Sequence, residues 1–181
     1  FPDLSLVAEG VPRLESRGAP RRHREYETEV IGNGGFAQWY GDAPKMWTPE
    51  PSSACVRPTR ETPGGTTGIE LLPPKGADPS QVTQQIQLEP FFAGAHVTVR
   101  MNACAYEPGQ CVLAVSVVAK KTEEAFHFMK EHPGDGLWSR VTIEMDIPAG
   151  INPHLLNISV QLRPGATRPA LATDLDAVLR K

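Results

Sequence analysis

The sequence predicts an all-β fold, an antiparallel β-sandwich with no helix of importance. Three observations carry that expectation. Gly 16 and Pro 18 together approach a fifth of 181 residues, which suits short strands joined by turns and disfavours a helical bundle. Apolar and polar residues alternate at period two in several separate runs, the mark of half-buried strands. Turn clusters, such as Pro73-Pro74 and Pro133-Gly134-Asp135-Gly136, punctuate those runs.

Residues 1–29 read as a leader or linker into a domain over 30–181. Leu4, Leu6 and Val7 suit one short strand or a surface contact. The cationic run Arg21-Arg22-His23-Arg24 suits an anionic ligand in isolation, but Glu25, Glu27 and Glu29 cancel most of its potential, so it reads as a solvated linker. Gly32, Gly34 and Gly35 permit unusual backbone angles, and Asn33-Gly34 reads as a tight turn. No Gly-Lys-Ser/Thr ending follows, which excludes a phosphate loop of that kind.

Residues 48–68 are rich in proline and glycine, with a short strand at 55–57; a strand over 66–72 stops at Pro73. Next, Val82, Gln84, Ile86 and Leu88 share one face, with Thr83, Gln85 and Gln87 on the other. Val97, Val99, Met101 and Ala103 likewise oppose His96, Thr98, Arg100 and Asn102. The run 111–119 is apolar on both faces, which predicts a central strand. Residues 120–130 fit either an edge strand or a short helical turn. Alternation returns over 141–147 and 156–162, and 171–179 supplies a closing strand.

Net charge is −3 with both signs interspersed, which excludes a strongly cationic nucleic-acid surface. No apolar run approaches the roughly 20 residues that cross a bilayer as a helix. The chain begins at Phe1 without a cleavable leader, so a leader or membrane anchor elsewhere in a longer protein stays open. Gly-x-Ser-x-Gly, His-Glu-x-x-His and calcium-loop patterns are absent, and no carboxylates stand out as a glycosidase pair. The sequence therefore reads as non-enzymatic.

Cys104 and Cys111 flank six residues that include the turn Glu107-Pro108-Gly109-Gln110. If strands flank that turn, the sulfurs face each other across a hairpin as a disulfide, which argues for an oxidising compartment; the alternative is two small buried thiols. Cys55 reads as a buried or free thiol. Trp39, Tyr40 and Trp47 gather within nine positions. Sugar sites use flat aromatic faces beside polar groups, because pyranose C–H bonds stack on a π system while hydroxyls need partners. Trp39 and Tyr40 are adjacent, so in a strand they point to opposite sides and one is free for ligand. Thr98, Arg100 and Asn102, with His96, Gln85 and Gln87, form a polar row that reads either as a binding face or as an ordinary solvent face.

The order of these features resembles a family. Asn33, Gly35 and Phe36, then Gly41, Pro44 and Trp47, and finally Asp176, Val178 and Leu179 are similar to the opening and closing strands of carbohydrate-binding-module-like jelly rolls of the galactose-binding-like kind. In that family Asn-x-Gly-Phe-Glu precedes Gly-x-Pro-x-x-Trp, and Asp-x-Val-x-Leu closes the domain. Here Ala37 replaces the Glu, the middle spacing is shorter, and Leu179 comes one position early. The run from Val82 to Leu88 also resembles the family's Val-x-Gln-x-Ile-x-Leu strand.

The resemblance covers about residues 30–181 and implies a jelly roll of about eight to ten strands. It implies a buried Trp47, and ligand carried on a concave sheet or on loops at one edge. It also implies a structural calcium held by Asp176 and carbonyls near 33–35, with Asp174 or Asp42 standing in for the missing Glu. The expected function is a non-catalytic carbohydrate-binding module of a larger extracytoplasmic protein, periplasmic or secreted, with a poly- or oligosaccharide and neighbouring domains as partners. The alternatives are a structural or protein-interaction domain of an envelope or secretion assembly, and an accessory domain of a glycoside hydrolase.

Overall fold

A computed structural model describes residues 26–120 and 125–181. The expected strand around Leu4, Leu6 and Val7 and the arginine-rich run ending at Arg24 lie outside the described residues. The strands are β1 (Glu27–Glu29), β2 (Trp39–Tyr40), β3 (Ala43–Pro44), β4 (Thr48–Glu50), β5 (Val56–Thr59), β6 (Gly68–Leu71), β7 (Ser80–Gln87), β8 (His96–Cys104), β9 (Cys111–Ala119), β10 (Ala125–Glu131), β11 (Ser139–Asp146), β12 (Pro153–Leu162) and β13 (Ala170–Arg180). Nine of these have four residues or more. β1 lies within the segment expected as leader: Glu27 pairs with Arg180 and Glu29 with Val178, which ties the end of that segment to the sandwich.

Among the described residues all pairings are antiparallel, and they build two large sheets and one small one. One large sheet runs β11-β8-β13-β6-β5, with β1 also beside β13; the other runs β10-β9-β12-β7-β4. β2 and β3 form a separate hairpin. Period-two alternation sends the apolar half of each strand between the sheets. Val99 and Met101 of β8, Leu113 and Val117 of β9, Ile158 of β12 and Leu179 of β13 are all fully buried there. Trp47 is buried as expected, with its ring centroid 5.1 Å from that of Phe36. β9 is central, between β10 and β12, and 125–131 is an edge strand rather than a helical turn.

The sandwich corrects one expectation. β8 and β9 belong to different sheets, so 105–110 crosses between the layers instead of closing a hairpin. Cys104 and Cys111 are buried free thiols, and the Cys104 thiol donates to the Gly136 carbonyl at 3.4 Å. Burial disfavours the thiolate at both; it raises Cys104 and pushes Cys111 up to about 12. Cys55 is a buried free thiol too.

Candidate functional site

The outer face of the five-stranded sheet is built by register. Directly opposed residues share a face, so the pairings Gln85–Asn157, Asn157–Ser116 and Ser116–His127 make one row of hydrogen-bonding side chains across β7, β12, β9 and β10. The next row is Thr48, Thr83, Ser159, Ala114 and Met129. Beyond it lie Glu50, Gln81, Gln161, Val112 and Glu131. On the other side of the first row, Gln87 faces Leu155, which in turn faces Val118.

A groove of about 290 Å³ follows these rows, lined by Glu50, Gln81, Thr83, Gln85, Ser116, His127, Phe128, Asn157, Ser159 and Gln161, with Ala114 and Val115. Its side chains are partly pre-ordered. Gln161 Nε2 donates to Ser159 Oγ at 2.9 Å, Asn157 Nδ2 to Ser116 Oγ at 3.4 Å, and Gln81 Nε2 to Glu50 Oε2. The Asn157 Oδ1 atom is buried and has no donor among the described residues. Of the lining side chains only Glu50 and His127 are ionisable. The groove thus offers amides and hydroxyls to a partner that both donates and accepts hydrogen bonds.

The other expected site residues lie elsewhere. Gln85 lines the groove and Gln87 sits at its margin, but Thr98, Arg100 and Asn102 belong to β8, in the opposite sheet. The expected single polar row is therefore two rows on opposite outer faces. Those on β8 are engaged locally. Arg100 Nε donates to Asp176 Oδ1 at 2.8 Å, Asn102 Nδ2 donates to Asp174 Oδ2 at 3.1 Å, and Thr98 is nearly buried. On that face Arg100 and Asn102 already have partners within the protein.

Trp39 and Tyr40 do point apart. Tyr40 is 86% exposed on the β2–β3 hairpin, whereas Trp39 packs against the core and donates its indole N–H to the Phe36 carbonyl at 2.8 Å. Trp39 walls a second pocket of about 370 Å³ with Asp42, Ser53, Val56, Arg57 and Pro58. The Arg57 guanidinium there is already paired with Glu70.

The residues at the expected calcium position do not fit the ion. The Asn33 carbonyl accepts from the Trp47 indole N–H at 3.2 Å and from the Phe36 N–H at 3.0 Å. The Gly34 carbonyl accepts from the Leu175 N–H at 3.0 Å, and the Gly35 carbonyl from the Thr67 hydroxyl at 2.9 Å. Asp176 faces two guanidinium groups, Arg100 and, at 3.7 Å, Arg140. Each of these carbonyls already accepts from a protein donor, and the positive charge beside Asp176 opposes a cation there.

Asn157, Ser159, Gln161, Ser116 and His127 were not singled out from the sequence. The alternation over 156–162 marked the first three as outward-facing. The signal that β12 lies between β7 and β9 resides in long-range pairing, which local pattern does not carry.

No protein-family model matches the chain, and no curated protein matches it. Solved structures do. A family 4 carbohydrate-binding module is 18% identical with a TM-score of 0.54, covering 82% of this chain and 99% of that one. The Clostridium thermocellum xylanase with CBM22-1 and GH10 modules, complexed with xylohexaose, is 17% identical with a TM-score of 0.53 over 84% of this chain. The tailspike protein 4 enzymatically active domain of bacteriophage CBA120 is 14% identical with a TM-score of 0.60 over 83% of this chain. The chain spans 21% of that tailspike structure and 28% of the xylanase structure. The chain has the jelly-roll β-sandwich fold seen in carbohydrate-binding modules.

Proposed function

We propose that this chain is a carbohydrate-binding module that takes a poly- or oligosaccharide along the outer face of its five-stranded sheet. The observation that carries this reading is the row Gln85–Asn157–Ser116–His127, which crosses four strands as an uninterrupted line of hydrogen-bonding side chains above a groove. Sugars present hydroxyls at close, regular intervals, and a line of amides and hydroxyls meets them without a single deep pocket. Support of a broader kind comes from fold neighbours solved with sugars, the xylanase with xylohexaose and a family 61 module with β-1,4-galactotriose.

The module binds without chemistry. A single carboxylate, Glu50, lines the groove, whereas glycoside hydrolysis ordinarily uses two, about 5–10 Å apart. The setting is extracytoplasmic, as one part of a larger polysaccharide-handling protein.

Affinity electrophoresis and calorimetry on a panel of soluble polysaccharides test the reading. Retardation by at least one of them is expected. Asn157→Ala and Gln85→Ala should each weaken it about tenfold, the loss of a hydrogen bond or two worth about 1.4 kcal/mol. Trp39→Ala and Arg100→Ala should leave it unchanged. A blank across the panel, or a loss confined to the latter pair, overturns the proposal.

A further inference from the structure

A free sheet edge presents unpaired backbone N–H and C=O groups, and β-proteins ordinarily guard such edges with proline, charge or shortness. Among the described residues the two sheets end in five edge strands, and four are guarded. β4 is three residues long and centred on Pro49; β5 carries Pro58 in a strand of four. β1 is three residues long, two of them Glu. β11 sends Arg140, Glu144 and Asp146 to its outer face.

β10 is different. It runs seven residues, Ala125-Phe126-His127-Phe128-Met129-Lys130-Glu131, without proline, and its two charges, Lys130 and Glu131, stand together at one end and leave the middle of the edge unguarded. Its register against β9 is unbroken from Ala125–Val118 to Glu131–Val112, so no bulge twists the edge away. Met129 is 63% exposed and Phe128 40% exposed. Its outer side is hydrogen-bonded to no strand among the described residues, although β11 of the other sheet runs near it and shares a shallow cleft with Phe128 and Met129.

We propose that β10 pairs antiparallel with β10 of a second copy of this chain, about a two-fold axis centred on Met129. The self-complementarity of the sequence about that residue selects the occupant. A two-fold antiparallel ladder through Met129 sets His127 opposite the partner subunit's Glu131, and Phe128 opposite the partner subunit's Lys130. Each relation occurs twice by symmetry. An imidazole thus meets a carboxylate on one face, and an ammonium meets an aromatic ring on the other. Glu131 is also held by Arg163, which fixes its carboxylate at the end of the strand.

The two-fold of an antiparallel strand pair is perpendicular to the sheet, so both five-stranded sheets turn the same face to one side. The result is a ten-stranded surface on which the two grooves meet end to end at the seam, with His127 of each copy beside it. On the carbohydrate reading, one long chain then spans two sites, but the pairing itself needs no sugar.

Sedimentation velocity on residues 1–181 without ligand is the test. A dimer in equilibrium with monomer is expected. Met129→Lys, which places two ammonium groups against each other at the axis, should leave a folded monomer with unchanged circular dichroism. In a mildly oxidising buffer Met129→Cys should form a reducible covalent dimer. Arg57→Cys, on the guarded β5 edge at the far side of the other sheet, should not. A wild-type chain that stays monomeric at every concentration overturns the proposal. So does a dimer that survives Met129→Lys and gains no crosslink from Met129→Cys, which would use another surface. Pairing of β10 with an extended segment of a different protein would appear as the first of these, a monomer.

Discussion

Cys111 shows how far one side chain's setting departs from its sequence. It sits fully buried at the start of β9, and desolvation pushes its thiol up to about 12. The unfolded chain loses that proton near pH 8.5–9, roughly the ordinary cysteine value. Above that pH the folded state binds the proton that the unfolded state has released, so stability falls as pH rises toward 12. A single thiol contributes about 1.4 kcal/mol of loss per pH unit in this window. Urea titrations at several alkaline pH values should show a slope shallower by that amount in Cys111→Ala than in the parent. An identical slope in both would place the thiol in contact with solvent. Gln84 is another position whose reason was invisible in the sequence, an amide on the apolar face of its strand. It is buried, accepts the Gly32 N–H at 2.9 Å, and donates to the Gly32 and Met46 carbonyls at 2.9 and 3.1 Å. It serves as a backbone surrogate for a segment that has no strand neighbour there.

The hairpin of β2 and β3 depends on Asn33 more than on its own two pairings. Asn33 holds a left-handed φ of 55°, which asparagine tolerates better than most residues. Its Nδ2 donates to the Gln38 and Lys45 carbonyls at 2.8 and 2.9 Å, and its Oδ1 accepts the Gln38 N–H at 3.1 Å. One side chain therefore closes both legs of the loop. Asn33→Ala should cost about 1–3 kcal/mol and speed amide exchange over residues 38–45 before any other region. Asn33→Gly keeps the backbone angle and should lose the same protection, which separates the bonds from the strain. Unchanged exchange in both variants would mean that packing of Trp39 holds the loop instead. The long strands were legible from alternation, because burial on one side imposes period two on residues such as Val97, Val99 and Met101. β2 and β3 were not, since two residues carry no period. The assignment of Gln85 and Arg100 to opposite faces was not legible either, since each strand shows an inner and an outer side without naming its sheet.

Closure of the whole sandwich brings the beginning and the end of the domain together. The loop at 33–36 lies against β13, where the Leu175 N–H bonds to the Gly34 carbonyl at 3.0 Å. A Cβ on Gly34 would lie 1.8 Å from the Leu175 carbonyl oxygen, so glycine is what permits the approach. The motif residues Asn33, Gly35, Phe36 and Asp176 thus do bracket one junction, and the fold they pointed to is the fold observed. The chemistry of that junction is another matter. The Thr67 hydroxyl, the Trp47 indole and the Leu175 amide supply donors to the three consecutive carbonyls, and Arg100 with Arg140 neutralises Asp176. With Ala37 in place of a carboxylate, the donors satisfy by hydrogen bonds what a divalent cation would otherwise satisfy by coordination. Anything that binds the folded state alone raises its stability by mass action, and removing it lowers that stability. Melting of the chain should therefore be the same in excess chelator and in added calcium. A midpoint that drops by several degrees on chelation and recovers with calcium would place an ion at this junction despite its neighbours.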